Sequence, residues 1–520
     1  MSSENKRTMW KQITLIVLAV IILGAPTLVY PFGRDQAEYA WIAASALHGK
    51  LSYSDIFNVK PPLSHLIHEA ALLLFGYNMA SIRILDLLWQ GVTAILIFKI
   101  AKQLEQHPAA RIIAAVLYLT LYYTMNFWTT AQTDGFITLP IAAGILLFLQ
   151  AQQKNQLWRY AASGMAIGLA TLLKYPIGIL ALLLMILELL RLKKNGFIPA
   201  LLMGVGLLLP LSVSALDMFR RSNLDDFLWI QTTYISKYSI MSQPGLSYIG
   251  SIGLGFLIML SSPIIGWTSI CGWYGLFVGS SRSRPVQVAI IAAWWISAAV
   301  HFIVQNKFYG YHALPMYAPL ALMLSQFFID GLKTSNRVRF ALSVIGVLLM
   351  AVPFTMFDFP WKYIRLWNVA TREVPLQTVY GHERFGGYNN GSDFSSRADM
   401  EVAEYIASHS KQDEKIFVWG FEPSIYFLSQ RENATRFIYN FPLYGPNANP
   451  ELRLEFLNEL QEQKPVYIVI VKNDAISHVT ATSDDSWTAY NSFNELHNFV
   501  LTHYHFETTI EDFVIYRFDK

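Results

Sequence analysis

Residues 33–63 read GRDQAEYAWIAASALHGKLSYSDIFNVKPPL and separate two long apolar segments. The segment carries Asp35, Glu38, Asp55 and Lys60 at a place where a membrane protein normally has only a short turn. Charged groups beside a bilayer persist mainly where they meet water, protein or a polar ligand. We therefore expect a functional site in this loop.

The composition indicates the class of protein. Of the 520 residues, 53% are hydrophobic and 14% are charged, whereas roughly 25% of residues are charged in ordinary soluble domains. The formal net charge is only +3, and no basic patch with interleaved aromatic residues occurs, so nucleic acid is not an expected partner. The chain is predicted to be an α-helical polytopic membrane protein in contact with membrane lipids.

Apolar runs of membrane-spanning length recur through the first 357 residues. A run of about 20 apolar residues crosses a bilayer core of about 30 Å. These runs predict a transmembrane domain at residues 1–357, whose first outer loop covers residues 32–78. We predict about eleven spans, at residues 13–31, 79–101, 111–128, 135–151, 158–173, 176–192, 197–216, 248–278, 286–304, 313–330 and 338–357.

The distribution of Lys and Arg predicts the orientation of the chain in the membrane. With the N-terminus inside, each short connection assigned to the cytoplasm carries at least two cations, as the positive-inside rule requires. The opposite connection at residues 123–134 contains no Lys or Arg. We therefore expect a cytoplasmic N-terminus and an extracytoplasmic tail, which would face the periplasm or outer surface in a bacterium and the endoplasmic reticulum lumen in a eukaryote. The expected location is a bacterial inner membrane.

The tail differs in composition and alternates helical and strand patterns. This alternation is typical of a small α/β domain, here at residues 397–520 after a linker at 358–396. The tail has no phosphate loop, Ser-His-Asp spacing or zinc pattern, so we expect a structural or acceptor-presenting role. Predicted helices cover 397–410, 423–430, 450–463 and 493–502, predicted strands cover 415–419, 436–440 and 465–471, and a hairpin closes around 511–512.

Residues 36–47 of the first loop show the apolar spacing of a helix. Ala40, Trp41, Ala44 and Leu47 fall on one side, which is the pattern of a helix lying in a membrane interface. We expect this helix along the outer interface, where it would hold Asp35 at the depth of lipid head groups.

The predicted topology places further charged residues on the same side of the membrane as this loop. Lys and Arg neutralise phosphate, while a carboxylate accepts a proton from an attacking hydroxyl or holds a divalent ion. The set predicts a site for a lipid with an anionic phosphate head group. Its members beyond the loop are Asp134, Lys174, Arg220, Arg221, Lys237, Lys307 and His312.

Several motifs follow one another between about residues 10 and 330. They are Asp35-Gln-Ala-Glu-Tyr, Asn58-Val-Lys60-Pro61-Pro62-Leu63, Arg83, Thr133-Asp134-Gly135, Lys174-Tyr175-Pro176 and Lys307-Phe-Tyr-Gly-Tyr-His312-Ala-Leu-Pro315. This ordered set resembles the glycosyltransferase-C superfamily, and within it the protein O-mannosyltransferases and lipid A aminoarabinose transferases.

The resemblance implies an activity and roles for two residues. Such enzymes transfer a sugar, with inversion, from a polyprenyl-phosphate-linked donor to a glycan, lipid or protein acceptor outside the cytoplasm. By this resemblance Asp35 is the general base or the acid that orients the acceptor. Lys60 is then the ligand of the donor phosphate, and the remaining charged residues are candidates for substrate binding.

Two positions depart from the family pattern. Many relatives have a second acid directly after the first, where this chain has Gln36, and some have Glu where Val59 stands. A bound divalent metal is therefore left open. If a second carboxylate is needed, Glu38, Asp55 or Asp134 would have to supply it.

Several of these side chains also have a structural interpretation. Asp35 could cap a helix that begins at Gln36, and Lys60 could be an interfacial lysine whose ammonium reaches water. Asp134 could cap the fourth span.

Two further pairs lie on predicted helices. We expect Arg83 and Asp86 to form a structural ion pair. His65 and His68 have a spacing that can bind metal, although an isolated pair on an apolar helix is more often structural.

Two other classes of function fit parts of the pattern. A polymerase or ligase of lipid-linked saccharides would rely on arginines in the long loop at 217–247 rather than on Asp35. A transporter would show related halves with interrupted helices and charges near the middle of the membrane, whereas the charges here cluster at one surface. The glycosyltransferase interpretation is therefore favoured.

Overall fold

A computed structural model describes residues 3–519 except 241–245, 263, 279–283, 335–336, 339, 347–358 and 388–391. Apolar helices form a bundle, and a smaller domain with a β-sheet packs against one end of it. The helices of the bundle, α1 to α16, are Ser3–Gly24, Arg34–Leu47, Pro62–Phe75, Ala80–Gln103, Pro108–Tyr123, Thr133–Phe136, Thr138–Lys154, Trp158–Thr171, Ile179–Leu192, Phe197–Arg220, Leu224–Trp229, Ile235–Ile240, Tyr248–Ser261, Ile265–Val278, Pro285–Val304 and Tyr317–Leu332.

The bundle confirms the predicted membrane architecture. Helices lie at ten of the eleven predicted positions, and the greater part of the remaining one, 338–357, lies outside the described residues. By length and apolar composition alone, six helical stretches of the described chain could cross a membrane, or seven if α13 and α14 form one bent span. One of the six, Tyr175–Arg220, contains two predicted spans, α9 and α10.

The predicted outer loop at 32–78 is largely helical, because it contains α2 and α3. Helix α3 begins at Pro62, where the missing N–H of proline costs no hydrogen bond. Its apolar side packs against α2 and α4. Both helices lie within the predicted connection, where the apolar spacing at 36–47 and the pair His65 and His68 had already indicated helices.

Helix α2 is confirmed, but its surroundings differ from the predicted membrane interface. Ala40, Trp41 and Ala44 are buried. The Trp41 ring stacks on Tyr426 of the C-terminal domain, with ring centroids 5.5 Å apart. Protein therefore covers the apolar face that the sequence pattern assigned to lipid head groups.

The C-terminal domain contains a four-stranded mixed sheet. Its strands are β1 Ile416–Trp419, β2 Tyr467–Val471, β3 Tyr504–Ile510 and β4 Phe513–Phe518, in the order β1-β2-β4-β3. Strands β1 and β2 are parallel, and β4 is antiparallel to both β2 and β3. Every residue of β1 and β2 is buried, as expected of strands covered on both faces. The predicted strands at 415–419 and 465–471 and the closing hairpin are confirmed.

Helices surround this sheet and continue back toward the bundle. The four predicted helices of the tail are confirmed, and the region predicted as a linker contains the first two helices listed here. The bounds are Phe359–Ala370, Leu376–Tyr380, Ser396–His409, Ser424–Ser429, Pro450–Gln463, Ser477–Thr480, Ser486–Ser492 and Asn494–His503.

The predicted strand at 436–440 is wrong. This segment is irregular, and Phe437 forms an isolated bridge with Phe57 of the bundle rather than joining the sheet. The rings of Phe437 and Tyr439 are buried against Phe57. Burial at the boundary between the two domains therefore explains an apolar pattern that resembles a strand.

Helices α8 and α10 approach each other closely through glycines. A Cβ atom at Gly164 would overlap the carbonyl oxygen of Met203, and one at Gly206 would overlap that of Ala161. Small residues allow membrane helices to bring their backbones into van der Waals contact. Even a methyl group at either position would push the two helices apart.

We expect Gly164→Ala to destabilise the bundle by about 1–3 kcal/mol, because the added methyl group meets backbone atoms that cannot move aside independently. Thermal unfolding of the purified protein in detergent should show a lower midpoint. Gly253→Ala is the matched control, since a Cβ atom at that helical glycine meets nothing within 4 Å. Equal midpoints for the two variants would contradict the close packing of α8 and α10.

Candidate functional site

The candidate site is a cavity of about 320 Å³ between the bundle and the C-terminal domain. Charged and aromatic side chains from both sides line it. The bundle contributes Arg34, Asp35, Glu38, Lys60, Trp128, Tyr309 and Tyr311, and the C-terminal part of the chain contributes Asp393, Phe421, Phe441 and His478.

Asp35 and Lys60 form an ion pair in the wall of this cavity. The Nζ atom of Lys60 lies 2.6 Å from Oδ1 of Asp35, and each side chain is 16% exposed. The Tyr311 hydroxyl donates to Oδ2 of Asp35 at 3.1 Å, and the Gln132 amide donates to the same atom at 3.4 Å. The two residues given roles by the sequence motifs are therefore brought together, although 25 positions separate them.

Local backbone structure holds Lys60 in place. The Asn58 side chain accepts a hydrogen bond from the Lys60 backbone N–H at 3.1 Å, a turn that Asn favours. The Tyr53 hydroxyl donates to the Lys60 carbonyl at 2.8 Å. Pro61 and Pro62 follow directly and restrict the backbone on the other side of Lys60.

The charge on Asp35 is stabilised by its neighbours. Burial is the largest single influence and opposes ionisation of this carboxyl group, but the charge and hydrogen bond of Lys60, with Lys174 and the Tyr311 hydroxyl, together outweigh it. The pKa of Asp35 therefore lies below its usual value. Asp35 is a carboxylate at neutral pH.

Glu38 lies one turn further along α2 and is fully buried. Its Oε2 atom is 3.3 Å from Nζ of Lys60, but neither carboxylate oxygen has a hydrogen-bond partner among the described residues. Burial raises the pKa of Glu38 to about 7, against the attraction of Lys60. Burial alone would lower the pKa of Lys60, yet Asp35 and Glu38 raise it well above its usual value. One lysine is thus shared by two carboxyl groups.

Asp134 belongs to a second polar network next to the ion pair. Its side chain is 1% exposed, with Oδ2 3.7 Å from Nζ of Lys174 and Oδ1 2.7 Å from Nε2 of His301. Lys174 also donates to the Gln305 side chain at 2.8 Å. Within the described chain, neither Asp134 nor Lys174 lines the cavity. Both residues are nevertheless close enough to influence the charges that do.

Residues 309–311 form an aromatic wall of the cavity, and Lys307 and His312 lie behind that wall. Tyr311 and His312 meet edge to face at 4.7 Å, and Tyr309 packs against both His312 and His478. Nζ of Lys307 donates to the His478 carbonyl at 2.5 Å. Burial, with repulsion from the Lys60 ammonium, lowers the pKa of Lys307 to about 7. An anion placed between Lys307 and Lys60 would relieve that repulsion.

The structure does not bring all the predicted residues to this cavity. Asp55 accepts a hydrogen bond from the Leu51 backbone N–H and lines a separate cleft of about 300 Å³. Arg221 pairs with Asp217 at 3.1 Å on an exposed surface beside another cavity, and Arg220 is exposed. These residues were predicted to share a site because they lie on the same side of the membrane. Membrane topology fixes the depth of a residue but not its lateral position, so they do not meet.

The structural alternatives considered from the sequence can now be compared with the contacts. Gly33, not Asp35, is the N-cap of α2, and its backbone N–H donates to the Gln36 side chain at 3.1 Å. Arg83 donates to backbone carbonyls, including those of Pro31 and Thr130 at 2.6 and 2.8 Å.

The predicted pairing of Arg83 with Asp86 is wrong. The Asp86 carboxylate instead accepts from Tyr122 at 2.6 Å and from Gln90 at 2.9 Å. Both residues are structural, but each has other partners, because backbone carbonyls and side-chain donors lie closer in the packed bundle.

The histidines of α3 make ordinary structural contacts. Nε2 of His65 lies 3.2 Å from the Ser52 hydroxyl, and Nδ1 of His68 lies 3.1 Å from the Ser64 carbonyl. Across the residues that the structure describes, no group of three or more His, Cys, Asp or Glu side chains could hold a metal ion. The arrangement offers chemistry based on carboxylates and ammonium groups.

Some residues of the site were not singled out from the sequence. Tyr309 and Tyr311 lie in the motif 307–315, in which only Lys307 and His312 were predicted as site residues. The aromatic residues of that motif could have indicated the two tyrosines. Gln132 and His478 gave no signal in the sequence. His478 reaches the cavity only because the C-terminal domain folds onto the bundle.

Comparisons with known proteins find relatives in sequence and in fold. A family model described as dolichyl-phosphate-mannose-protein mannosyltransferase matches residues 59–215. An undecaprenyl phosphate-alpha-4-amino-4-deoxy-L-arabinose arabinosyl transferase 2 of Proteus mirabilis is 22% identical over 358 residues, which cover 62% of this chain and 61% of the relative. A corresponding transferase of Yersinia pestis is 22% identical over 300 residues, or 56% of this chain and 52% of the relative. The matches thus span between about half and three fifths of these relatives.

Two solved structures share the fold. The crystal structure of ArnT from Cupriavidus metallidurans bound to undecaprenyl phosphate has a TM-score of 0.63 and 15% identity, and covers 98% of each chain. The archaeal oligosaccharyltransferase AglB from Archaeoglobus fulgidus, in complex with an inhibitory peptide and a dolichol-phosphate, has a TM-score of 0.54 and 12% identity. That match covers all of this chain and 75% of AglB. The fold, the partial family match and the ordered motifs together support the resemblance to the glycosyltransferase-C superfamily.

Proposed function

We propose that the chain is a membrane glycosyltransferase that moves a sugar from a polyprenyl-phosphate carrier to an acceptor outside the cytoplasm, with inversion. The observation that carries the proposal is the ion pair of Asp35 and Lys60 in a cavity enclosed by both domains. The two relatives are named for transfer from an undecaprenyl phosphate-linked sugar, and the ArnT structure is bound to undecaprenyl phosphate. These names support a lipid-phosphate donor.

Lys60 is the proposed ligand of the donor phosphate. Its ammonium group is charged and already removed from most of the solvent, so it needs no further desolvation to meet an anion. The phosphate would compete for Lys60 with the carboxylates of Asp35 and Glu38. Lys307 is a candidate second cation behind this wall, because an anion near it would favour its charged form.

Asp35 is the proposed general base. While Lys60 is paired with it, Asp35 has a low proton affinity. Recruitment of Lys60 by the phosphate removes the closest counter-ion and raises that affinity. The acceptor hydroxyl then attacks the anomeric carbon, its proton passes to Asp35, and the bond from that carbon to the phosphate oxygen breaks. The prenyl phosphate leaves with the bonding electrons, and the single displacement inverts the anomeric centre.

The other acids take supporting roles in this proposal. After Asp35, Glu38 is the carboxyl group nearest to Lys60. If a second carboxylate takes part, Glu38 is therefore a better candidate than Asp134 or Asp55. Asp134 contacts Lys174 and His301 and so affects the electrostatic potential at the ion pair of Asp35 and Lys60. Asp134 therefore acts on the reaction through its neighbours in this proposal.

The proposed location is a bacterial inner membrane, with the N-terminus in the cytoplasm and the cavity on the opposite side. The cations of the short connections support this orientation. The relatives named above come from bacteria. The acceptor is a glycan, a lipid or a protein on the side of the cavity.

A polymerase or ligase of lipid-linked saccharides is the second candidate, since AglB is an oligosaccharyltransferase. It would need arginines from the loop at 217–247. Arg220 and Arg221 lie outside the cavity, and Arg221 is engaged by Asp217. The transfer centred on Asp35 and Lys60 is therefore preferred.

Asp35→Asn is expected to lower turnover by about 10²–10⁴-fold, because an amide cannot accept the acceptor proton. Lys60→Ala should remove most donor binding along with turnover. Purified protein would be incubated with a panel of polyprenyl-phosphate sugars and an acceptor mixture, and release of prenyl phosphate would be followed.

Asp225→Asn serves as the control, because it removes one negative charge from an exposed position on α11. Its turnover should match the wild type. Full activity of Asp35→Asn, or the absence of turnover by the wild type across a broad panel, would refute the proposed mechanism.

The binding of the donor is expected to weaken as pH rises. Glu38 has a raised pKa of about 7, so it is mostly neutral at pH 6 and charged at pH 8, while Asp35 and Lys60 keep their charges. Lys307, with a pKa also about 7, loses its charge over the same range. Both changes make the cavity less attractive to a phosphate.

The KM for the donor should rise about three- to tenfold between pH 6 and pH 8 in the wild type. Glu38→Gln should reduce this dependence, leaving the part that is due to Lys307. The same pH dependence in both proteins would show that Glu38 does not titrate in contact with the donor site.

A further inference from the structure

The residue directly before Asp35 is tied to the C-terminal domain. Nε of Arg34 donates to Oε1 of Glu422 at 2.8 Å, and its NH1 donates to Oδ2 of Asp393 at 3.0 Å. The side chains of Arg34 and Glu422 are only 7% and 2% exposed. Burial raises the pKa of Glu422 well above its usual value, against the attraction of Arg34. Loss of either partner would leave a buried polar group without its contact, which is costly.

Further acids surround this contact. Asp399 and Asp474 of the C-terminal domain are buried and interact electrostatically with Arg34. Burial would lower the pKa of Arg34, but Glu422 and Asp393 raise it. Arg34 is therefore the cation around which this part of the C-terminal domain is arranged.

A second tie precedes Lys60. The Phe57 backbone N–H donates to the Arg436 carbonyl at 2.8 Å, and the Phe57 ring stacks on Phe437 at 5.6 Å. The Arg436 side chain donates to the Ser54 carbonyl at 3.3 Å. The C-terminal domain thus holds the chain on both sides of the proposed catalytic segment.

Arg34 and Asp35 are consecutive residues in the first turn of α2. A shift of that turn moves the Asp35 carboxylate relative to Lys60 and to the cavity. In reactions that depend on near-attack geometry, a displacement of about 1 Å can cost about 10²-fold in rate. The contact between Arg34 and Glu422 is therefore in a position to control the reaction without touching the substrate.

We propose that Glu422 is a positioning residue for the transfer reaction. By holding Arg34, it fixes the first turn of α2 and sets the Asp35 carboxylate against Lys60 and the cavity. The inference rests on the proposed function and extends it, because it makes the C-terminal domain a working part of the site. An acceptor-presenting role alone would not need a buried ion pair at this turn.

The test begins with Glu422→Gln, which keeps the shape of the side chain and replaces the carboxyl group that contacts Arg34 by an amide. We expect kcat per folded molecule to fall about tenfold while the KM for the donor stays within about twofold, since Lys60 and its neighbours are intact. A purely structural role predicts less folded protein with unchanged kcat per folded molecule. That result would overturn the inference.

Tyr77→Phe is the matched control at the same domain boundary. The Tyr77 hydroxyl donates to the Phe427 carbonyl at 3.1 Å, and its ring stacks on Phe427. The variant removes an interdomain hydrogen bond without altering the first turn of α2. Its kcat and KM should equal those of the wild type, and a tenfold loss here would show that any weakening of the boundary has the same effect.

A second measurement is independent of turnover. Hydrogen exchange of the backbone amides at 35–40 should accelerate in Glu422→Gln and stay unchanged in Tyr77→Phe. Unchanged exchange in Glu422→Gln would overturn the inference. The proposed function is tested separately: it fails if the wild-type protein turns over no donor.

The double variant Arg34→Gln with Glu422→Gln covers the case in which the single variant folds poorly. Replacement of both charges removes the unpaired buried group, so folding should recover. We expect kcat to remain below that of the wild type, because a neutral pair holds the turn less firmly. Recovery of kcat together with stability would show that the pair is merely structural.

Discussion

The ammonium group of Lys60 is the constraint on which the architecture of the site depends. The partly buried Asp35 and the fully buried Glu38 share this one cation. An unpaired charge in such a place would be strongly destabilising, so the lysine and α2 must be held in one arrangement. The turn around Asn58 and the two prolines after Lys60 provide that arrangement from one side. In the proposed reaction, an anionic ligand would compete with these two carboxyl groups for Lys60.

Much of the fold could be predicted because apolar runs of sufficient length have few alternatives to membrane helices. The errors have local causes. Helix α2 was predicted correctly, but its Trp41 packs against the C-terminal domain and not in a membrane interface. The irregular segment at 436–440 resembled a strand because its rings are buried at the domain boundary, against Phe57. In both cases the pattern of apolar residues reported burial correctly, but the packing of the two domains decided what covers those residues.

The site was predictable only where motifs marked it. Asp35 and Lys60 stand at the two ends of one loop, so a short stretch of sequence already suggested that they act together. Arg34 and Glu422 are 388 positions apart, and no periodicity or spacing relates them. Asp55 illustrates the opposite error, since it lies between Asp35 and Lys60 in the sequence but faces another cleft. Membrane topology limits which residues can meet, and the packing of the C-terminal domain decides which of them do.

The long sequence separation of the Arg34–Glu422 contact has a consequence for biosynthesis. The ribosome makes residue 422 only after the whole helical bundle. The contact between Arg34 and Glu422 therefore cannot form until most of the chain has been synthesised. Contacts of high sequence separation form late in folding, because a long loop must first be closed. A nascent or prematurely ended chain therefore inserts its helices without completing the cavity. The cavity is therefore completed only in chains whose C-terminal domain has been synthesised and folded.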